Sequence, residues 1–193
     1  MKNSLITTLF LALSLGSSQA EGLFSSVTKG DVIFDEPLPA SDAKKKFAHG
    51  TMEVLEGGGI KGRTKPEADG HAANYALKFE HEDAIYTFEF KLEGDVYGGI
   101  RVGYHMASRT LEADRITISK SAEAPVTLEK GKWHTATVTR IGKQVQLQVG
   151  DVTIVGEEPK LTPTIDAIRL SVKGSSEGSV SYRKLKIWKA VKE

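Results

Sequence analysis

Ile85-Tyr86-Thr87-Phe88-Glu89-Phe90-Lys91-Leu92 decides the fold. Successive side chains of an extended chain point to opposite faces. Tyr86, Phe88, Phe90 and Leu92 therefore share one side, and Thr87, Glu89 and Lys91 share the other. Four large apolar groups on one face and charge on the other describe a strand with one buried and one wet side, as in an antiparallel sheet.

The pattern repeats outward from there. Ile100, Val102, Tyr104 and Met106 oppose Arg101, Gly103 and His105; Ile116 and Ile118 oppose Arg115, Thr117 and Ser119. Val145, Leu147 and Val149 oppose three glutamines, and Ile168, Leu170 and Val172 oppose Arg169, Ser171 and Lys173. Turn residues fall between these runs, at Gly57-Gly58-Gly59, Glu93-Gly94-Asp95, Gly131, Gly142-Lys143, Gly150-Asp151 and Gly174 to Gly178. About ten strands at this spacing predict an all-β sandwich or barrel. In the last run Val180 and Tyr182 share a phase, whereas Leu185 and Ile187 take the opposite one. Only an extra residue shifts a period of two, which predicts a β-bulge near Arg183-Lys184. The one helical pattern is short, from Ser41 to Phe47.

Residues 1–20 read as a secretory signal peptide: Lys2, an apolar run from Leu5 to Leu15, and Ser18-Gln19-Ala20 as a small-x-small cleavage signal. The apolar run is too short to span a bilayer, and no later segment is apolar enough to do so. Residues 21–193 then form a single exported domain, periplasmic or secreted. Lys2 is the only charge removed, so that domain carries 25 basic and 25 acidic side chains. A neutral balance argues against nucleic acid as the partner, because phosphate binding rests on a cationic surplus. The absence of cysteine removes disulfides, thiolate metal sites and cysteine catalysis together.

Several patterns match catalytic motifs, and their contexts defeat them. Gly57-Gly58-Gly59-Ile60-Lys61-Gly62 fits G-x-G-x-x-G, but no helix pattern follows to hold a pyrophosphate, and a hairpin turn explains it. Gly174-Ser175-Ser176-Glu177-Gly178 fits G-x-S-x-G, yet it lies between two strands rather than at a strand-to-helix elbow. Glu93-Gly94-Asp95-Val96-Tyr97-Gly98 approaches the Glu-x-Asp-x-x-Glu of sandwich glucanases but ends in Gly98, one carboxylate short of an acid and a nucleophile. His49, His71, His81, His105 and His134 show no paired metal-ligand spacing, so no metal site and no cofactor are expected. Calcium stays open, since carboxylates gathered from separate loops leave no local signature.

The remaining clue is a set of polar side chains on wet strand faces: Arg101, His105, Arg115, Glu89 and Arg169. Sharing one sheet, they would form a partly cationic surface able to hydrogen-bond a sugar or a carboxylate. Tyr75, Tyr97, Tyr104 and Trp133 are the aromatic candidates for stacking on a sugar ring.

The C-terminal half carries a family resemblance. Gly131-Lys132-Trp133-His134 through Val138, Gly142-Lys143 through Gly150-Asp151, and Ser179 to Trp188 resemble the closing strands of concanavalin A-like sandwiches. Phe34-Asp35-Glu36-Pro37-Leu38, Gly50-Thr51-Met52-Glu53-Val54 and His71-Ala72-Ala73 are similar to the 3-keto-disaccharide hydrolase domain family. In the last strand Arg183-Lys184 stands where that resemblance has Asp-Asn. The resemblance implies a jelly roll of two antiparallel sheets over residues 31–189 and a saccharide or other small polar ligand. A carbohydrate-binding module is the leading expectation. An enzyme cleaving 3-keto-disaccharides is the second: a 3-keto group acidifies the neighbouring C–H, so a base (His71 or His105) and a polarising cation (Arg101) would suffice. A non-catalytic envelope interaction protein is the third.

Overall fold

The computed structural model describes residues 22–39, 49–66, 71–102 and 107–193. The predicted helix at 41–47, His105 and Tyr104 lie outside the described residues. Fourteen strands occur among them: β1 (Val27–Phe34), β2 (Gly50–Val54), β3 (Ile60–Thr64), β4 (Ala73–His81), β5 (Ala84–Glu93), β6 (Val96–Val102), β7 (Ala107–Leu111), β8 (Arg115–Ile118), β9 (Ala122–Pro125), β10 (His134–Ile141), β11 (Gln144–Val149), β12 (Val152–Glu157), β13 (Ile165–Gly174) and β14 (Ser179–Lys192). The surplus over the expected ten includes short, polar strands such as β7 and β9, whose few apolar residues give no clear alternation.

All pairings are antiparallel and build two sheets. One has eight strands in the order β12-β11-β10-β5-β14-β3-β2, with β1 added along β14. The other has six, β4-β13-β6-β7-β8-β9. This is the jelly-roll sandwich that the alternation and the resemblance imply.

The core lies between the sheets and is filled by the predicted apolar faces. Tyr86, Phe88, Phe90 and Leu92 of β5 are buried, as are Ile100 and Val102 of β6 and Ile168, Leu170 and Val172 of β13. Each fully buried side chain of this size contributes about 1.5–3 kcal/mol before the entropy of ordering it. Gly57 to Gly59 turn β2 into β3, and residues 175–178 turn β13 into β14, so neither glycine motif opens a helix.

The bulge falls where the phase change puts it. The β14–β5 register shifts between Arg183 and Lys186, and Lys184 takes φ +53°, the left-handed region. Because of that residue, Val180 and Tyr182 on one side of it and Leu185 and Ile187 on the other all face the core. Tyr182 also ties the sheets together. Its hydroxyl accepts the Gly99 N–H at 2.8 Å and donates to the Ser171 carbonyl oxygen, on β6 and β13 of the opposite sheet. A Cβ on Gly98 would sit 2.7 Å from that hydroxyl, so glycine there makes room for it.

Candidate functional site

The outer face of the eight-stranded sheet holds a connected set of polar groups. Alternation on β5 presents Thr87, Glu89, Lys91 and Glu93 away from the core, and Ser179, Ser181 and Arg183 stand beside them on β14. Lys61 of β3 lies across from Ser181, and Trp133 immediately precedes β10.

Two carboxylates organise this face. Glu89 accepts hydrogen bonds from Arg183 Nε and, at 2.7 Å, from Lys184 Nζ. Partial burial pushes its pKa up, but the hydrogen bonds and charges of Lys184 and Arg183 outweigh that and hold it below the ordinary value. Glu93 meets Lys61 at 2.8 Å and Lys91 at 3.1 Å, and accepts a 2.8 Å hydrogen bond from Ser179 Oγ. The hydrogen bond from Lys61, helped by those from Ser179 and Lys91, draws its pKa down to about 2 against some desolvation. Both groups are therefore acceptors only at neutral pH.

Trp133 completes the set. The Arg183 guanidinium lies 3.9 Å from its ring centroid and the Lys91 ammonium 5.5 Å, so two cations contact the half-buried indole. On the same face Thr87 Oγ1 and Ser181 Oγ are buried and have no hydrogen-bond partner among the described residues. A cleft of about 390 Å³ opens at the bulge, between Arg183, Lys184 and Lys186 on one wall and Asp35 and Gly57 to Gly59 on the other.

The polar face expected from the sequence is divided by the structure. Arg101 and Arg169 are direct cross-strand partners on β6 and β13, both half-buried. Arg115 is in the same sheet but two strands away and exposed, with a guanidinium nitrogen 2.9 and 3.1 Å from the two Glu112 carboxylate oxygens. Glu89 belongs to the opposite sheet. Alternation tells inward from outward on each strand, but not which sheet a strand joins. His71, exposed just before β4, lines a separate cleft of about 190 Å³ with Tyr97 and Lys173. Of the aromatic candidates, Tyr75 is in the core, only 1% exposed.

Sequence reasoning took Trp133 only as one of four aromatics and did not connect it with Glu89. It also missed that Glu89 and Glu93 stand on one face of one strand; Glu-x-Lys-x-Glu read as a single line would have shown it. A buried polar layer went unnoticed as well. Arg109, fully buried, meets Glu158 at 2.9 Å, and Ser119 Oγ donates to the same carboxylate at 2.6 Å. Arg140, equally buried, donates to the carbonyls of Glu82, Gly142, Thr162 and Pro163. The His81 ring nitrogen Nε2 is 2.7 Å from the Tyr86 hydroxyl.

No protein-family model matches the chain, and no curated protein matches it in sequence. Solved structures share its fold. A sialidase aligns with TM-score 0.60 and 11% identity over 84% of this chain, which spans about a fifth (19%) of that protein's length. The carbohydrate-binding module CBM66 from Bacillus subtilis aligns with TM-score 0.55 and 11% identity, over 72% of this chain and 91% of the module. Bacillus licheniformis beta-glucanase gives 0.56 and 9%, over 84% of this chain and 99% of the enzyme. At such identities the likeness is one of fold.

Proposed function

We propose that the protein is an exported saccharide-binding module whose ligand lies on the outer face of the eight-stranded sheet, against Trp133. One observation carries this reading. An indole ring, two carboxylates held ionised and the cations that hold them share one face of a single sheet. An aromatic ring offers an apolar surface to the C–H face of a sugar, while fixed carboxylates and ammonium groups accept from and donate to its hydroxyls. The fold shared with a carbohydrate-binding module and a glucanase supports the reading by analogy.

The same electrostatics argue for binding rather than hydrolysis at this face. Direct displacement at a glycosidic bond needs one carboxyl kept protonated near neutral pH, with its pKa raised. Here the pKa values of both Glu89 and Glu93 are lowered.

The test is a glycan array followed by affinity electrophoresis with the retained polysaccharide. Retention that weakens about tenfold or more in Trp133→Ala supports the proposal. No retention on any glycan, or retention indifferent to Trp133, overturns it. Turnover of a 3-keto-disaccharide that is abolished in His71→Ala would replace it with the elimination reading, in which His71 is the base and the binding face merely holds substrate.

A further inference from the structure

We propose, resting on the saccharide reading above, that the ligand is a polysaccharide chain lying across the outer face from Trp133 to a second ring, Trp188 of β14. One setting occurs twice on this sheet. The protein has two tryptophans. Trp133 has the Arg183 guanidinium 3.9 Å and the Lys91 ammonium 5.5 Å from its ring centroid. Trp188 has the Lys29 ammonium at 4.0 Å and that of Lys186 at 5.4 Å. Both rings are half-buried. Each thus keeps part of an apolar surface open beside ammonium or guanidinium donors, the combination that a sugar with its C–H face and its hydroxyls requires.

Alternation and pairing put the two rings on the same face. After the bulge Leu185 and Ile187 point into the core, so Lys186 and Trp188 point away from it. Trp133 meets Arg183, which stands outward beside Glu89. The residue after Trp133, His134, pairs with Phe90 on one edge of β5, and Trp188 pairs with Ile85 on the other edge. At about 3.4 Å per residue and about 4.8 Å per strand, these positions lie roughly 17 Å apart along the sheet and roughly 10 Å across it. One sugar ring cannot touch both indoles; a chain of several can.

The strip between the rings suits a sugar chain rather than a protein partner. In order along β14 come Arg183 and Lys184, both on Glu89, and then Lys186, paired with Asp35. Lys184 and Asp35 are exposed, and Arg183 and Lys186 are half-buried. The centre of a protein–protein interface is depleted in charge. Charged groups in a row instead offer donors and acceptors to the hydroxyls of successive sugars. At the far end Val32, the cross-strand partner of Trp188 on β1, is exposed and adds apolar surface beside the ring. A chain already held at Trp133 reaches Trp188 intramolecularly, so the second contact raises affinity only for chains long enough to span the gap.

The experiment is calorimetric titration of the whole protein with oligosaccharide ladders, from disaccharide to octasaccharide, prepared from laminarin, xylan, mannan and polygalacturonate. On a ladder that binds, affinity is expected to rise at least about tenfold from the disaccharide to the longest chain. Trp188→Ala should abolish that rise and leave disaccharide affinity unchanged, whereas Trp133→Ala should weaken binding at every length. Fluorescence gives a second readout that keeps the Trp188 ring in place. In Trp133→Phe, Trp188 is the sole indole, and its emission should shift with octasaccharide and not with disaccharide. In Trp188→Phe the remaining indole should respond to both. Affinity independent of length, a rise that survives Trp188→Ala, or Trp188 emission unmoved by octasaccharide overturns the proposal and leaves the Trp133 site standing. Binding indifferent to Trp133, or no binding on any ladder, overturns the saccharide reading and this proposal with it.

Discussion

Arg109 with Glu158 and Arg183 with Glu89 are the same chemical pair in two settings, one sealed between the sheets and one on the outer face. The inner pair is almost without solvent, at 0% and 4% side-chain exposure; the outer pair retains 34% and 20%. In the core, burial has already stripped both ions of water, so each depends on the other and on Ser119. Outside, water shares the task, and each ion depends less on the other. Burial, rather than distance, decides whether an ion pair holds the fold or remains available to a partner.

The largest effect should come from breaking the inner pair. Glu158→Ala leaves a buried guanidinium without its carboxylate and is expected to destabilise the fold by about 3–5 kcal/mol in urea titration, with little change in saccharide affinity per folded molecule. A loss below about 1 kcal/mol would mean that water reaches Arg109, and the contrast would fail.

Acid should act next, again through the interior. Burial pushes the His81 pKa down from 6.5 to about 4, opposed by its contact with the Phe79 carbonyl. The unfolded chain therefore takes up a proton between pH 6.5 and 4 that the folded chain refuses. Stability falls as pH drops through that window, by up to about 3 kcal/mol near pH 4. His81→Gln, which cannot titrate, should flatten the urea midpoint against pH over that range; an unaltered slope would assign the acid sensitivity elsewhere.

Breaking the outer network should cost least stability. Glu93→Gln removes partly exposed ion pairs with Lys61 and Lys91, and an expected loss of about 1 kcal/mol or less follows from solvent screening. Glu93 titrates in the opposite sense to a raised group: its stabilisation is complete above its ordinary carboxylate range and is lost as pH falls toward 2. The variant should lose more in saccharide affinity than in stability. The reverse ranking, seen by comparing calorimetric affinity with the urea midpoint, would make this cluster a structural one.

Much of the fold was legible because alternation is a local property. The faces of β5, β11 and β13, the turn glycines and the bulge in β14 all follow from neighbours in sequence. The site was less legible because it depends on which strands become neighbours. Glu89 and Arg183 are 94 positions apart, and nothing near either residue names the other. The polar face was expected to unite Arg101, His105, Arg115, Arg169 and Glu89; His105 lies outside the described residues, and among the rest pairing sets Arg101 directly against Arg169. Arg109 was invisible for another reason. In Ala-Ser-Arg-Thr-Leu an arginine reads as surface, and its partner Glu158, on the loop after β12, is 49 positions away.

The single inserted residue at Lys184 links these two levels. Without it, one residue of β14 would stand opposite Glu89; with it, Arg183 and Lys184 both reach that carboxylate, one through each oxygen. A change of chain length by one thus alters surface chemistry while the interior composition stays as it was. Removing Lys184 would put Val180, Tyr182, Leu185 and Ile187 in one unbroken inward phase and leave Arg183 alone opposite Glu89. The bulge is where this molecule can gain or lose a contact to Glu89 by insertion rather than by replacement.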